Sequence, residues 1–341
     1  MKKAIVCVVL ALCLAVLVKP QIVQDVANSV RSLWSDDSRQ EEPQTTAKAP
    51  TFEQQLGVMQ DRNVLDVTLY YRFGDTGVLG AASAQLDMRR EETVASSIVQ
   101  QLIDGPGVAH ERLSGVFPQG TELISVTGEG ATAYVTLSRG FLGKPDGAPS
   151  DWEDLAVWQE EAALRRRLAV QSIVLALTED GRYQRVQIYV ADNDDDVPER
   201  IPMVWFDTSA TDLTMMLAAC PRDEEALLTP RRAMEMILRA WKEQDWPALY
   251  PLLARTTDEE MPTLTAFEAQ MRETGVSLLT YSVTQGTVGL DGQTATIVLD
   301  ASIRSEDGGD ALLERESVPL ERDADNWAIR LSTLMSLMIR E

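Results

Sequence analysis

Hydrophobic and polar residues follow one another along this chain in three regimes. Residues 4–18 are an unbroken apolar run of 15 residues, preceded by Lys2 and Lys3 and closed by Lys19-Pro20. Residues 21–56 are mostly Ser, Asp, Gln, Glu, Thr and Pro, and contain Ser35-Asp36-Asp37-Ser38 and Glu41-Glu42-Pro43. Such a stretch buries too little apolar surface to offset the entropy of ordering it, so it reads as a disordered tether. From Val64 the pattern becomes periodic. Leu65, Val67, Leu69, Tyr71 and Phe73 alternate with Asp66, Thr68, Tyr70 and Arg72, the period of a half-buried strand. Val94, Ile98 and Leu102 stand four apart, which predicts a helix over residues 91–103 that stops at Asp104-Gly105-Pro106. Residues 123–127 and 131–138 form a hairpin around Gly128-Glu129-Gly130, with Ala133, Val135 and Leu137 on one face. Residues 152–178 read as a long helix broken or bent at Arg165-Arg166-Arg167, and residues 183–190 as a closing strand. The order β-α-β-β-α-β predicts an α+β domain over residues 64–218 with its core in 64–193.

A second unit is expected over residues 229–341. Residues 192–204 look like a linker, and residues 204–217 add a strand or cover to the first domain. Thr229 is a good N-cap and Pro230 suits the first helical turn. Ala233, Met236, Ile237, Ala240 and Trp241 then make an apolar helical stripe. Short helices follow from Asp245-Trp246-Pro247 and over residues 264–271. Four strands complete the chain, over residues 276–288, 294–304, 312–320 and 327–334, with Asp291-Gly292 as the tight turn between the first two.

Charge changes the picture at the N-terminus. The chain carries 31 Lys and Arg against 53 Asp and Glu, a formal −22. The only charges in the first twenty residues are Lys2, Lys3 and Lys19, so −25 falls on the rest. A positive start, an apolar run and a polar continuation is the layout of an export signal, with the body outside the cytoplasmic membrane. No small-residue cleavage site follows the run, so residues 1–20 read as an uncleaved signal anchor touching the membrane through residues 4–18. Cleavage, or lipidation at Cys13, are the alternatives, leaving a secreted protein or a lipoprotein. An acidic surface repels phosphate backbones, so nucleic acid is not an expected partner.

The first domain also carries a resemblance. Val67-Thr68-Leu69-Tyr70-Tyr71, Leu102-Ile103-Asp104-Gly105-Pro106, the turn Phe117-Pro118-Gln119-Gly120-Thr121 and Ala133-Tyr134-Val135-Thr136-Leu137 with Phe141 resemble, in that order, the GerMN domain family of spore germination proteins. Ser172-Ile173-Val174-Leu175 and Val186-Gln187-Ile188-Tyr189-Val190 are similar to its last helix and strand. The resemblance implies an envelope assembly role in sporulation or germination, in a Gram-positive cell. Two departures stand out: Thr136 where many members have Asp, and a long insertion over residues 143–159. The helices and curled meander of residues 229–341 resemble the NTF2-like cone fold by element order.

Candidate chemistry is sparse. Asp192, Asp194 and Asp196 alternate as in a calcium loop, yet Val197 and Met203 stand where that loop needs Gly and Glu, so a solvated acidic linker is the expectation. His110 is the single histidine and lacks a nucleophile context such as G-x-S-x-G. Cys220 is the one cysteine beyond the apolar run and cannot form an intramolecular bridge. No phosphate-binding glycine motif occurs. In the cone, Ala295, Ile297, Leu299, Ala301 and Ile303 share a face, which turns Asp300 to solvent and leaves Tyr281 as a possible cone-lining group. No catalytic residue, cofactor or metal is expected. Arg165, Arg166 and Arg167 read either as a helix face paired with Glu160 and Glu161 or, with Trp152 and Trp158, as contacts for envelope proteins. The expected function is a non-catalytic, membrane-anchored protein-interaction module. The alternative is a small-molecule-binding or enzymatic cone, and Trp241, Trp246 or Trp327 would line its pocket.

Overall fold

The computed structural model describes residues 64–87, 93–305, 308–324 and 326–339. The expected anchor and tether, residues 1–56, lie outside the described residues. Among the described residues no helix is long and apolar enough to cross a membrane.

Strand β1 (Val64–Phe73) begins as the alternation predicts, but from Leu69 onward both of its faces are buried. Helices cover both sides. Tyr71 donates its hydroxyl to the Gln101 carbonyl at 3.0 Å, in helix α1 (Val94–Asp104), capped by Thr93. On the other side Ser172, in helix α2 (Ala156–Thr178), donates to the Tyr70 carbonyl. Strand β2 (Leu79–Asp87) pairs antiparallel with β1, an element the pattern did not predict. Its stretch Gly80-Ala81-Ala82-Ser83-Ala84 has no large apolar residue to mark a period. A two-residue strand, β3 (Leu113–Ser114), closes this first sheet on the other edge of β1.

The predicted hairpin is β4 (Leu123–Glu129) and β5 (Thr132–Ser138), with Gly130 at φ 59 in its turn. Strand β6 (Arg185–Ala191) runs parallel to β5, and α2 is the crossover such a pair requires. The expected bend in α2 is absent: after a 3-10 turn at Trp152–Asp154 the helix runs unbroken. Arginine is a good helix former and no Gly or Pro interrupts. Short strands β7 (Glu199–Arg200) and β8 (Cys220–Pro221) both pair with β6. The β-α-β-β-α-β expectation is thus corrected to β-β-α-β-β-β-α-β, followed by these two short additions.

In the second half Thr229 caps α3 (Pro230–Glu243) by accepting from the Arg232 amide, and Asp245 caps the short α4 (Trp246–Leu249). Helix α5 (Leu264–Glu273) follows. The curled antiparallel sheet has the order β12-β11-β10-β9, formed by β9 (Ser277–Val288), β10 (Thr294–Arg304), β11 (Asp310–Asp323) and β12 (Asn326–Ala328). The expected last strand is corrected: it stops at Ala328, and Leu331–Met338 is helix α6. Leu334, Leu337 and Met338 stand at helical spacing and are buried.

The chain divides at Asp61, and Arg62–Glu341 is one compact unit. Among the described residues the main apolar core is continuous from Leu69 through α2 to Trp241, Phe267 and Ile297. Where the two halves meet, Arg112 pairs with Asp323 at 2.9 Å and donates to the Leu253 carbonyl at 3.0 Å, while the Leu228 amide donates to the Leu79 carbonyl at 2.8 Å. Gly80 allows a close approach at this junction: a Cβ there would lie 2.3 Å from Asn326 Oδ1 and force that buried side chain to move.

Candidate functional site

The five candidate contact residues converge at the N-terminal half of α2. The insertion expected over residues 143–159 folds over this half and sets Trp152 on its 3-10 turn. Arg166 lies beneath, only 4% exposed. Its guanidinium sits between Trp152 and Trp205, 5.7 and 4.8 Å from their ring centres. It donates to the carbonyls of Leu142 at 2.8 Å, Gly143 at 3.2 Å and Trp205 at 3.4 Å. Burial lowers its pKa to about 10, opposed by the charge of Glu153, so the cation persists at neutral pH. A cation held only by carbonyls and aromatic faces ties three chain segments to one helix. Trp152 packs with Ala148, Ala162 and half-buried Trp158 in a small satellite core. Trp152 and Arg166 therefore act inside the fold.

The neighbouring arginines face outward in different degrees. Arg167 is exposed and donates to the Phe206 carbonyl. Arg165 pairs with Glu161 at 2.6 Å and donates to the Asp146 carbonyl at 3.1 Å. Glu161 takes a second cation, Arg72, at 2.5 Å. Burial pushes the Glu161 carboxyl up, and the hydrogen bonds and charges of Arg72 and Arg165 outweigh it, leaving its pKa below the usual value. Trp158, Arg165 and Arg167 line one shallow depression of about 640 Å³ with Arg72, Glu161 and Leu164. Val157, which also lines it, is 75% exposed. A surface that mixes an aromatic edge, an exposed aliphatic side chain and arginines suits protein contact.

Elsewhere the side chains hold the fold. His110 is half-buried in a cleft of about 250 Å³ with Glu111, Arg112, Arg255 and Asp323. Asp323 is committed there to Arg112 and to the Arg255 amide at 2.7 Å, and no described residue lining the cleft is a Ser, Thr or Cys. Burial raises the Cys220 thiol pKa, which favours the unreactive form. The Asp192 carboxylate pairs with Arg139 at 2.9 Å, and Asn193 donates to Asp196 at 2.9 Å. Among the described residues no group of three or more His, Cys, Asp or Glu could hold a metal ion.

In the cone the apolar face of β10 is buried as predicted, and Asp300 is exposed, accepting from the Arg315 amide at 2.8 Å. Trp241 and Phe267 are fully buried; Phe267 meets Trp246 edge-on at 6.4 Å and Tyr250 at 5.8 Å. Trp241 donates to the Val276 carbonyl at 3.4 Å. Large aromatic side chains thus pack the region between helices and sheet.

One cluster escaped the pattern reading. Tyr70 donates to Glu179 at 2.7 Å, and Arg222 pairs with the same carboxylate at 2.9 Å and donates to the Leu175 carbonyl at 3.0 Å. Burial, then the hydrogen bond to Glu179, pushes the Tyr70 pKa up to about 12. The partners are 109 residues apart, and no local spacing links them.

Comparison with known proteins agrees with the motif order of the first domain. Residues 68–196 match the family described as Germane, sporulation and spore germination, so this segment is GerMN-like. Comparison with curated proteins gives no match. Among solved structures the chain is similar to the tandem GerMN domains of the sporulation protein GerM from Bacillus subtilis, at 16% identity over 46% of this chain and 48% of that one, TM-score 0.28. The first GerMN domain of the same protein matches at 18% identity over 38% and 84%, TM-score 0.24. A candidate polyketide cyclase from Pseudomonas putida matches at 16% identity over 32% and 96%, TM-score 0.21. This chain therefore spans about half the length of the tandem GerMN chain it matches.

Proposed function

We propose that this protein is a non-catalytic assembly module of the cell envelope, tethered by residues 1–56 on the outer side of the cytoplasmic membrane and serving sporulation or germination. The observation that carries the reading is the match of residues 68–196 to the sporulation and germination family. The apolar run behind Lys2 and Lys3 supports export and anchoring. Trp158, Arg165 and Arg167, clustered at one depression, supply the contact surface. The envelope proteins it meets are recognised through that face, and the acidic surface keeps nucleic acid away.

The rival reading is a substrate or ligand held by the second half of the chain, where Trp241 and Phe267 are buried and Tyr281 and Asp300 line an open concavity of about 520 Å³. Fractionation of native cells followed by protease treatment of protoplasts tests the proposal. The expected result is a membrane-bound chain whose residues 64–341 are digested from outside. Recovery in the cytosol, or protection from the protease, would contradict it.

A further inference from the structure

A separate concavity lies at the opposite end of α2. The first half of β1 is left uncovered: Leu65 is exposed and Val67 half-buried, although both carry large apolar side chains. They face Val94 and Ile98 at the start of α1 and Leu177 at the end of α2, across a groove of about 440 Å³. That volume falls in the range of roughly 300–1,000 Å³ typical of binding pockets. Its rim is charged, with Asp66, Glu179 and Asp180 against the single cation Arg182. Arg182 in turn lies over the Tyr183 ring at 5.5 Å.

We propose that this groove docks an amphipathic segment of another protein, one whose apolar side chains fill the groove and whose Lys or Arg side chains meet its acidic rim. The inference rests on the assembly reading above and names the partner's chemistry. Leu65 and Val94 stay accessible at the lip while Ile98 and Leu177 are buried in its wall, the layout that receives a helix presenting residues at i, i+3 or i+4, and i+7. Glu179 is already engaged by Tyr70 and Arg222. Asp66 and Asp180 are both exposed; each accepts one neutral hydrogen bond, from the Gln85 side-chain amide at 3.0 Å and from the Arg182 backbone amide at 2.9 Å, which leaves their charge to meet an incoming cation. Charge complementarity of this kind sets orientation and on-rate more than raw affinity, so the apolar floor must supply most of the binding.

The test uses the full chain in detergent and a synthetic amphipathic peptide of Leu and Lys at helical spacing. Two control peptides keep its length: one replaces Lys by Glu, the other Leu by Ser. The Leu/Lys peptide is expected to bind saturably, and the controls at least tenfold more weakly. D66K combined with D180K, and separately L65D, should each weaken binding about tenfold with an unchanged melting curve. D300N, on the exposed face of β10, should leave it unchanged. Equal binding of the Lys/Ser peptide, or undiminished binding by the groove variants, would overturn the proposal. The two readings fail separately. A groove that binds no peptide while position 158 still cross-links to an envelope protein removes only the groove. Peptide binding without any envelope partner removes only the assembly role.

Discussion

Replacing Arg166 by Met keeps much of the side-chain volume and removes the buried cation, so it isolates what the guanidinium contributes. Two of its three carbonyl contacts lie within 3.2 Å. Hydrogen bonds from a charged donor are worth about 1.5–3 kcal/mol each, and the two-sided aromatic contact adds about 0.5–2 kcal/mol. Against this stands the cost of keeping a cation out of water. A pKa lowered from 12.5 to about 10 corresponds to about 3 kcal/mol at 1.36 kcal/mol per unit. The balance leaves a net stabilisation of about 0.5–5 kcal/mol, centred near 2–3, with three carbonyls orphaned when it is lost. For a unit of this size a loss of 1 kcal/mol lowers Tm by about 2–4 °C, so Arg166→Met should lower it by about 5–10 °C. Thermal unfolding followed by circular dichroism measures the change, and tryptophan emission should redden because Trp152 and Trp205 lose their shared partner. Arg166→Met as stable as the parent chain would refute the reasoning: desolvation would then equal or exceed everything the guanidinium holds.

Other expectations concern the junction and the network. Gly80→Ala places a Cβ 2.3 Å from Asn326 Oδ1 and 2.7 Å from Leu113 Cδ2; it should cost about 1–3 kcal/mol, read from the urea midpoint. Arg112→Ala leaves Asp323 without its principal cation in a mostly buried site and should cost about 2 kcal/mol after allowance for residual solvent. If the junction joins the halves into one cooperative unit, that variant broadens or splits a transition that is single in the parent chain. Tyr70 ionises at about 12 in the fold and near 10 when unfolded. Its folded pKa is raised, so its contribution is intact below pH 10 and disappears as pH climbs towards 12. Tyr70→Phe should therefore flatten the fall in stability over that interval, and an unchanged slope would sink the assignment.

How much of this was readable in advance follows from the size of the side chains. In β5 and β10 the alternation of Ala, Val, Leu and Ile with polar residues placed both strands and their apolar faces; the second face of β10 is largely exposed, while that of β5 is only partly so and buries Thr136. Thr229-Pro230 and Asp245-Trp246-Pro247 announced two helix starts through local capping chemistry. Strand β2 was invisible because Gly, Ala and Ser pack closely without marking a period. Residues 331–338 misled because apolar Leu and Met suit a buried helix as well as a strand over so short a run. At the candidate site the five residues were placed on one element, but the direction of each side chain was not legible. Arg166 turns inward because the insertion brings Trp152 and the Leu142 and Gly143 carbonyls over it. The Tyr70–Glu179–Arg222 cluster and the groove beside it arise only when β1, α1 and α2 meet in space.

The proposed assembly role has this molecule hold envelope proteins through the face that carries Trp158, Arg165 and Arg167. The most direct measurement places a photo-crosslinking residue at position 158 of the full chain in its native cells and identifies the adducts. The account predicts discrete adducts with envelope proteins, lost when Arg167→Glu reverses the neighbouring charge and retained when Asp300→Asn alters the far sheet. No adduct beyond the free chain, or adducts indifferent to Arg167→Glu, would contradict it.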